Sequence, residues 1–229
     1  MITELPLYVY IGFGLATFPT VFFLFLASNK NIRALVLIIV LGTIQAILAF
    51  QGYFADTTTE PPSFIFLFPP VFILIILLFV TKNGKAFIDQ LDLKYLTILH
   101  VVRIPVELTL YWLFLDQYVP ELMTFSGWNF DILAGITAPF IFYLGYLKKK
   151  LTIRILLAWN IICLGLLFTI IALALLSAPL PFQTLAFDQT NIGVLYFPFI
   201  WLPGIIVPVV LFSHLASIRQ LIRQRKRIE

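Results

Sequence analysis

The sequence predicts an all-α integral membrane protein, a bundle of seven membrane-spanning helices with its N-terminus outside and its C-terminus inside. Three observations carry that expectation. Of the 229 residues, 61% are hydrophobic and only 11% are charged, with a mean hydropathy of +1.03, whereas soluble globular domains carry about 25% charged residues. Seven stretches approach the roughly 20 apolar residues that a helix needs to cross a hydrocarbon core, at 6–28, 34–54, 63–81, 95–116, 131–147, 155–178 and 194–218. The connections between these stretches alternate in charge.

The first span follows "MITELPLYVYIGFG", which has neither a basic leading region nor a small-residue cleavage site and so reads as the start of a helix, not a cleaved signal. Lys30 and Arg33 separate it from the second span, and Asp56 and Glu60 follow the second. The third is short, and its "FPPVF" holds two prolines that weaken or bend a helix. Next comes "KNGKAFIDQLDLK", which carries Lys82, Lys85 and Lys94 and fits a short interfacial helix. Beyond the fourth span, "PELMTFSGWNFDILAG" leads into the fifth, where Asp131 or Asn129 is placed to cap the helix against its positive end or to face a ligand. Lys148, Lys149, Lys150 and Arg154 precede the sixth span, and the seventh runs into a basic tail, 219–229, "RQLIRQRKRIE".

In this arrangement fourteen of the fifteen Lys and Arg residues fall on one side, and the positive-inside rule makes that side cytoplasmic. Removing any span would scatter the charges over both sides. The bacterial inner membrane is the expected location, and the lipid bilayer is the expected partner. The tail reads as a topology signal, being short for a lipid switch, and no soluble domain exists to present nucleic acid with a groove. The only cysteine, Cys163, lies inside an apolar run, so there is no disulfide framework and no cysteine cluster.

A possible internal repeat pairs the first span with the fifth (Gly14 with Gly135, Ile32–Arg33 with Ile153–Arg154) and the third with the seventh through shared prolines. This 3+1+3 layout resembles, in outline only, the parallel repeats of SWEET transporters. The proline–glutamine signature of that family is absent here.

Arg103 is the basic residue that breaks the charge rule. It shares one face of the fourth span with His100, Glu107 and Tyr111, at helical spacings of three and four. Arg103 and Glu107 fall near the middle of the bilayer, where a charge costs about 3 kcal/mol or more. The pair is expected to neutralise itself across one turn, although arginine before glutamate is the weaker order. Pro105 leaves the carbonyl of Val101 without its helical donor, a further acceptor near Arg103. At the midplane the second span offers Gln45, and in the cytoplasmic third Asn160 and His214 lie at the depth of His100.

Ionisable groups at this depth point to function. The first expectation is a transporter or binder of a small polar or anionic solute, with Arg103 attracting the ligand and Glu107 exchanging a proton. Gln45 and Tyr111 would complete the lining. The second is an enzyme acting on a lipid or isoprenoid, with His100 and Glu107 as acid and base and Arg103 holding a phosphate or a developing negative charge. The third is a redox protein in which His100 and His214 ligate haem or flank a quinone, although no cofactor is required by the residues. Walker, GxGxxG, HExxH and GxSxG motifs are absent, and no lysine lies inside a span to hold retinal.

Overall fold

The computed structural model describes residues 2, 5–56 and 59–228, with the side chains of 227 and 228 excepted. Among them the chain is helical throughout, with no strand. Six helical stretches are long and apolar enough to cross a membrane: Leu7–Ala27, Ile32–Phe50, Ser63–Val80, Leu93–Leu115, Ile153–Leu176 and Leu202–Lys226. The fifth expected span, Ile132–Leu147, is apolar but shorter. Rows of large apolar side chains face outward, among them Ile32, Val36, Ile39 and Ile47 of the second helix. Contiguous apolar surface on that scale is stable against lipid, not water. The protein is built as a membrane protein.

Helices α1 (Leu7–Ala27) and α2 (Ile32–Phe50) are joined by a tight turn, and the Asn31 side chain caps α2 by accepting from Arg33 N at 3.0 Å and Ala34 N at 3.2 Å. The third span opens with a 3-10 turn, Ser63–Leu67, before α3 (Phe68–Val80). Pro69 and Pro70 thus lie in the first turn of α3, where a missing N–H costs nothing. A short helix does follow it, α4 (Lys82–Asp89), capped by Thr81. The fourth span consists of α5 (Leu93–Leu99), a 3-10 turn at His100–Val102 and α6 (Arg103–Leu115). In the fifth, α7 (Ile132–Ile141) continues as a π-helical segment, Phe142–Leu147. Beyond it lie α8 (Ile153–Leu176), a π-helical turn at Leu202–Ile206 and α9 (Val207–Ile228).

Residues 194–201, expected as the start of the seventh span, are mostly irregular, and the helix instead runs to Ile228. The basic tail is therefore its last turns and not a separate segment. Those turns fasten to α4: Arg219 and Arg223 both bond Asp89, and Gln220 donates to the carbonyls of Ile88 and Leu91. At the other end, Gln189 and Gly193 bond carbonyls at the end of α6, and Asn191 N donates to Ser177 O at the end of α8.

The most enclosed helix is the last. Within Leu202–Lys226, 72% of the most apolar window is buried, against 50% for Leu93–Leu115 and 17% for Ile32–Phe50. α9 packs against α8, α5, α4, α3 and α1, while α3 packs on α4 and α9 without extensive contact to α6 or α8. A gap is left between α3 and α8.

Candidate functional site

Pro105 shapes the site first. Lacking an N–H, it cannot continue the α-helical ladder to Val101, and the preceding turn tightens to 3-10, with Arg103 N directed to the carbonyls of His100 and Val101. The fourth span stays continuous where its polar residues begin.

Arg103 is 2% exposed. Its Nη1 donates to Asp131 Oδ1 at 2.7 Å and to the Cys163 carbonyl at 3.3 Å. Its Nη2 lies 2.9 Å from His214 Nε2. A guanidinium only donates, so Nε2 accepts and His214 carries its proton on Nδ1. That proton meets Asn160 Oδ1 at 3.0 Å, and Asn160 Nδ2 donates onward to Leu156 O at 2.9 Å. Every bond in this chain has a donor and an acceptor.

Two sequence expectations are corrected here. Arg103 does not neutralise Glu107; it pairs with Asp131, arriving from α7, and takes its backbone acceptor from Cys163 on α8 instead of Val101. The local order Arg-then-Glu is unfavourable, and a carboxylate from a facing helix meets the guanidinium better. Nor does Asp131 cap α7 with its side chain, which is turned to Arg103; it is Asn129 Oδ1 that accepts from Asp131 N at 3.0 Å. Gly135 makes this approach feasible, since a Cβ there would stand 2.9 Å from Ile104 Cγ1 and 3.2 Å from Arg103 Cβ.

Glu107 Oε1 accepts from Asn129 Nδ2 at 2.6 Å, and the same amide donates to Met123 O at 2.9 Å. Glu107 Oε2 and Arg103 Nε are buried with no hydrogen-bond partner among the described residues. His100 lies face to face with His214, ring centres 3.9 Å apart and planes 14° apart, with the Trp159 indole 5.5 Å away. Neither nitrogen of His100 has a partner among the described residues. This stack does not fit bis-histidine haem ligation, because the rings present faces to each other and both nitrogens of His214 are engaged.

The fold thus gathers His100, Arg103, Glu107, Asn129, Asp131, Asn160 and His214. Gln45 and Tyr111 lie apart. Gln45 donates to Gly204 O at 3.3 Å, between α2 and the π-helical turn, and the Tyr111 ring packs on Phe125. Sequence reasoning missed Trp159, whose Nε1 donates to Thr137 at 2.9 Å, although a tryptophan next to Asn160 deep in an apolar run was a visible signal. It also missed Asn191, which no motif marks.

A cavity of about 100 Å³ occupies the gap between α3 and α8. Its walls are apolar, including Phe68 and Phe72 of α3, Leu167 and Ile171 of α8, and Val210 and Leu211 of α9. Arg103, Glu107 and Asp131 line it as well. Asn191 also lines it; its Nδ2 donates to Ala174 O at 3.1 Å, and its Oδ1 is buried without a partner.

Residues 60–222 match a family described as a domain of unknown function, DUF8737. The chain belongs to the DUF8737 family. The matched segment contains the whole polar cluster and cavity, and leaves out α1, α2 and the last residues of α9. No curated protein and no solved structure matches the chain.

Proposed function

We propose that this protein binds a lipid- or isoprenoid-class molecule dissolved in the membrane, taking its chain between α3 and α8 and its polar end at Arg103 and Glu107. The observation that carries this reading is the lining of the cavity: mostly apolar side chains with three charged or ionisable ones among them. Such a site matches the polar end of an amphiphile and the part of its chain next to it. A small polar or anionic solute would find bonding groups only near Arg103, Glu107, Asp131 and Asn191. His100 does not line the cavity, so acid–base chemistry shared by His100 and Glu107 is not part of this proposal.

The setting is a bundle of seven spans with the N-terminus outside and the C-terminus inside, in a bacterial cytoplasmic membrane. Charge asymmetry supports it. Ile132–Leu147 is the short fifth span; at 1.5 Å per residue it is about 24 Å long, and the loop before it dips into the bundle, where Met123, Thr124 and Asn129 are buried. Irregular backbone at that depth is tolerated when protein surrounds it.

Photocrosslinking tests the cavity. A diazirine-bearing sixteen-carbon chain, added to the reconstituted protein, should label cavity-wall peptides containing Leu167 or Leu211, and also the lipid-facing side of α2. In Ala174→Trp, which fills the cavity, the wall labelling should disappear while the α2 labelling persists. Equal wall labelling in both proteins would overturn the proposal.

A further inference from the structure

We infer that the ligand's polar end is an uncharged oxygen acceptor, a carbonyl of the ester, ketone or quinone class, and not a carboxylate, a phosphate or an amine. The inference rests on the lipid-class reading above and narrows it.

The groups facing the polar end can be counted element by element. α6 contributes Arg103 and Glu107, the start of α7 contributes Asp131, and the preceding loop contributes Asn129. α9 contributes His214, which accepts from Arg103 and is therefore uncharged on that nitrogen, and α8 contributes Asn160 and the Cys163 carbonyl. His100 stacks behind His214. The cavity-facing residues of α3, Phe68 and Phe72, are apolar. Arg103 and Asp131 cancel as a pair at 2.7 Å. Glu107 is left with no counter-ion within salt-bridge distance among the described residues. A lone ionised carboxylate in apolar surroundings is far more costly than the neutral acid.

As the acid, Glu107 accepts from Asn129 through Oε1 and presents its proton on Oε2. Arg103 Nε presents a second proton. Both atoms are buried and unpartnered, on side chains one turn apart that line the cavity. What they lack is an acceptor. A carbonyl oxygen, with two lone pairs, accepts from both. A carboxylate or phosphate would bring negative charge beside Asp131 with no cation left to balance it, and an amine would offer donors to these two donors, leaving Asn191 Oδ1 as the unpartnered acceptor of the lining.

Three probes of equal chain length separate the cases: methyl palmitate, palmitate and hexadecylamine, each titrated at neutral pH into delipidated protein in nanodiscs. The expected result is methyl palmitate bound at least about tenfold more tightly than the other two. Glu107→Ala should weaken methyl palmitate about tenfold, the loss of one buried hydrogen bond, and Glu107→Gln should recover most of that, since an amide N–H replaces the acid O–H. A preference for palmitate overturns the inference while leaving the cavity reading intact. So does a preference for hexadecylamine that Glu107→Gln abolishes, which would mark Glu107 as an ionised counter-ion. Binding of none of the three by the wild type overturns the cavity reading itself.

Discussion

Arg103 with Asp131 and Arg219 with Asp89 are the same ion pair in two settings. The first has side chains 2% and 7% exposed at 2.7 Å; the second has side chains 25% and 27% exposed at 3.2 Å. Around Arg103 the protein supplies further acceptors, the Cys163 carbonyl and His214, each presented by a different helix. Around Asp89 it supplies a second arginine, Arg223, which is 47% exposed. Solvent reaches the side chains at Asp89 and hardly touches those at Arg103. Neither pair is therefore strong evidence of stabilisation: the buried one offsets its own desolvation cost, and the exposed one is weakened by solvent. What differs is the penalty for breaking them.

The largest effect should follow Arg103→Met. It strands Asp131 as an uncompensated buried charge, which typically costs about 3–5 kcal/mol. Thermal unfolding in mild detergent should show it, and Arg103→Met combined with Asp131→Leu should recover much of the loss. A single mutant within about 1 kcal/mol of wild type would mean that water reaches Asp131, and the contrast between the two pairs would fail.

A smaller effect tests how the buried pair is held. At Gly135 a Cβ would also meet Ile104 N at 3.1 Å, so Gly135→Val must push α7 away from α6. Overpacking of this kind costs about 1–3 kcal/mol, and the Arg103–Asp131 contact should lengthen while the Asp89 end is untouched. If unfolding is unchanged, α7 has room to move that the packing does not show.

Much of this was legible from local pattern. Composition and periodicity located the apolar helices, and the single basic residue off the charge rule, Arg103, marked the polar cluster. Its partner was not legible, because i, i+4 reasoning looks along a helix and Asp131 comes from another one. The clue was the shortness of the apolar stretch Ile132–Leu147: a helix of that length need not start level with its longer neighbours, so a residue that looked like an outer cap lies beside Arg103. Equal depth did bring His100, His214 and Asn160 together. Depth also put Gln45 level with Arg103 and Glu107, but residues at one level can face different neighbours, and Gln45 meets Gly204 instead. The cavity was not legible at all, because it follows from α3 failing to pack on α8, a property of neither segment alone.

The smallest effect belongs to Asp89. Partial burial works to raise its carboxyl, but hydrogen bonds and charge from Arg223 and Arg219 outweigh burial and hold it below the ordinary carboxylate value. A carboxyl lowered in the folded state adds stability that is complete above its unfolded value, roughly pH 4, and is lost as pH falls through the folded one. Asp89→Asn should therefore cost about 0.5–1 kcal/mol at neutral pH and low salt. The difference from wild type should shrink at high ionic strength, where exposed charges are screened, and vanish in acid once the wild-type carboxyl is itself protonated. Arg103→Met should show no such salt dependence, since ions do not reach a pair that water does not reach. A cost at Asp89 that survives both salt and acid would mean that α4 and α9 are joined by packing and by the Gln220 bonds, and that the arginines add nothing to that joint.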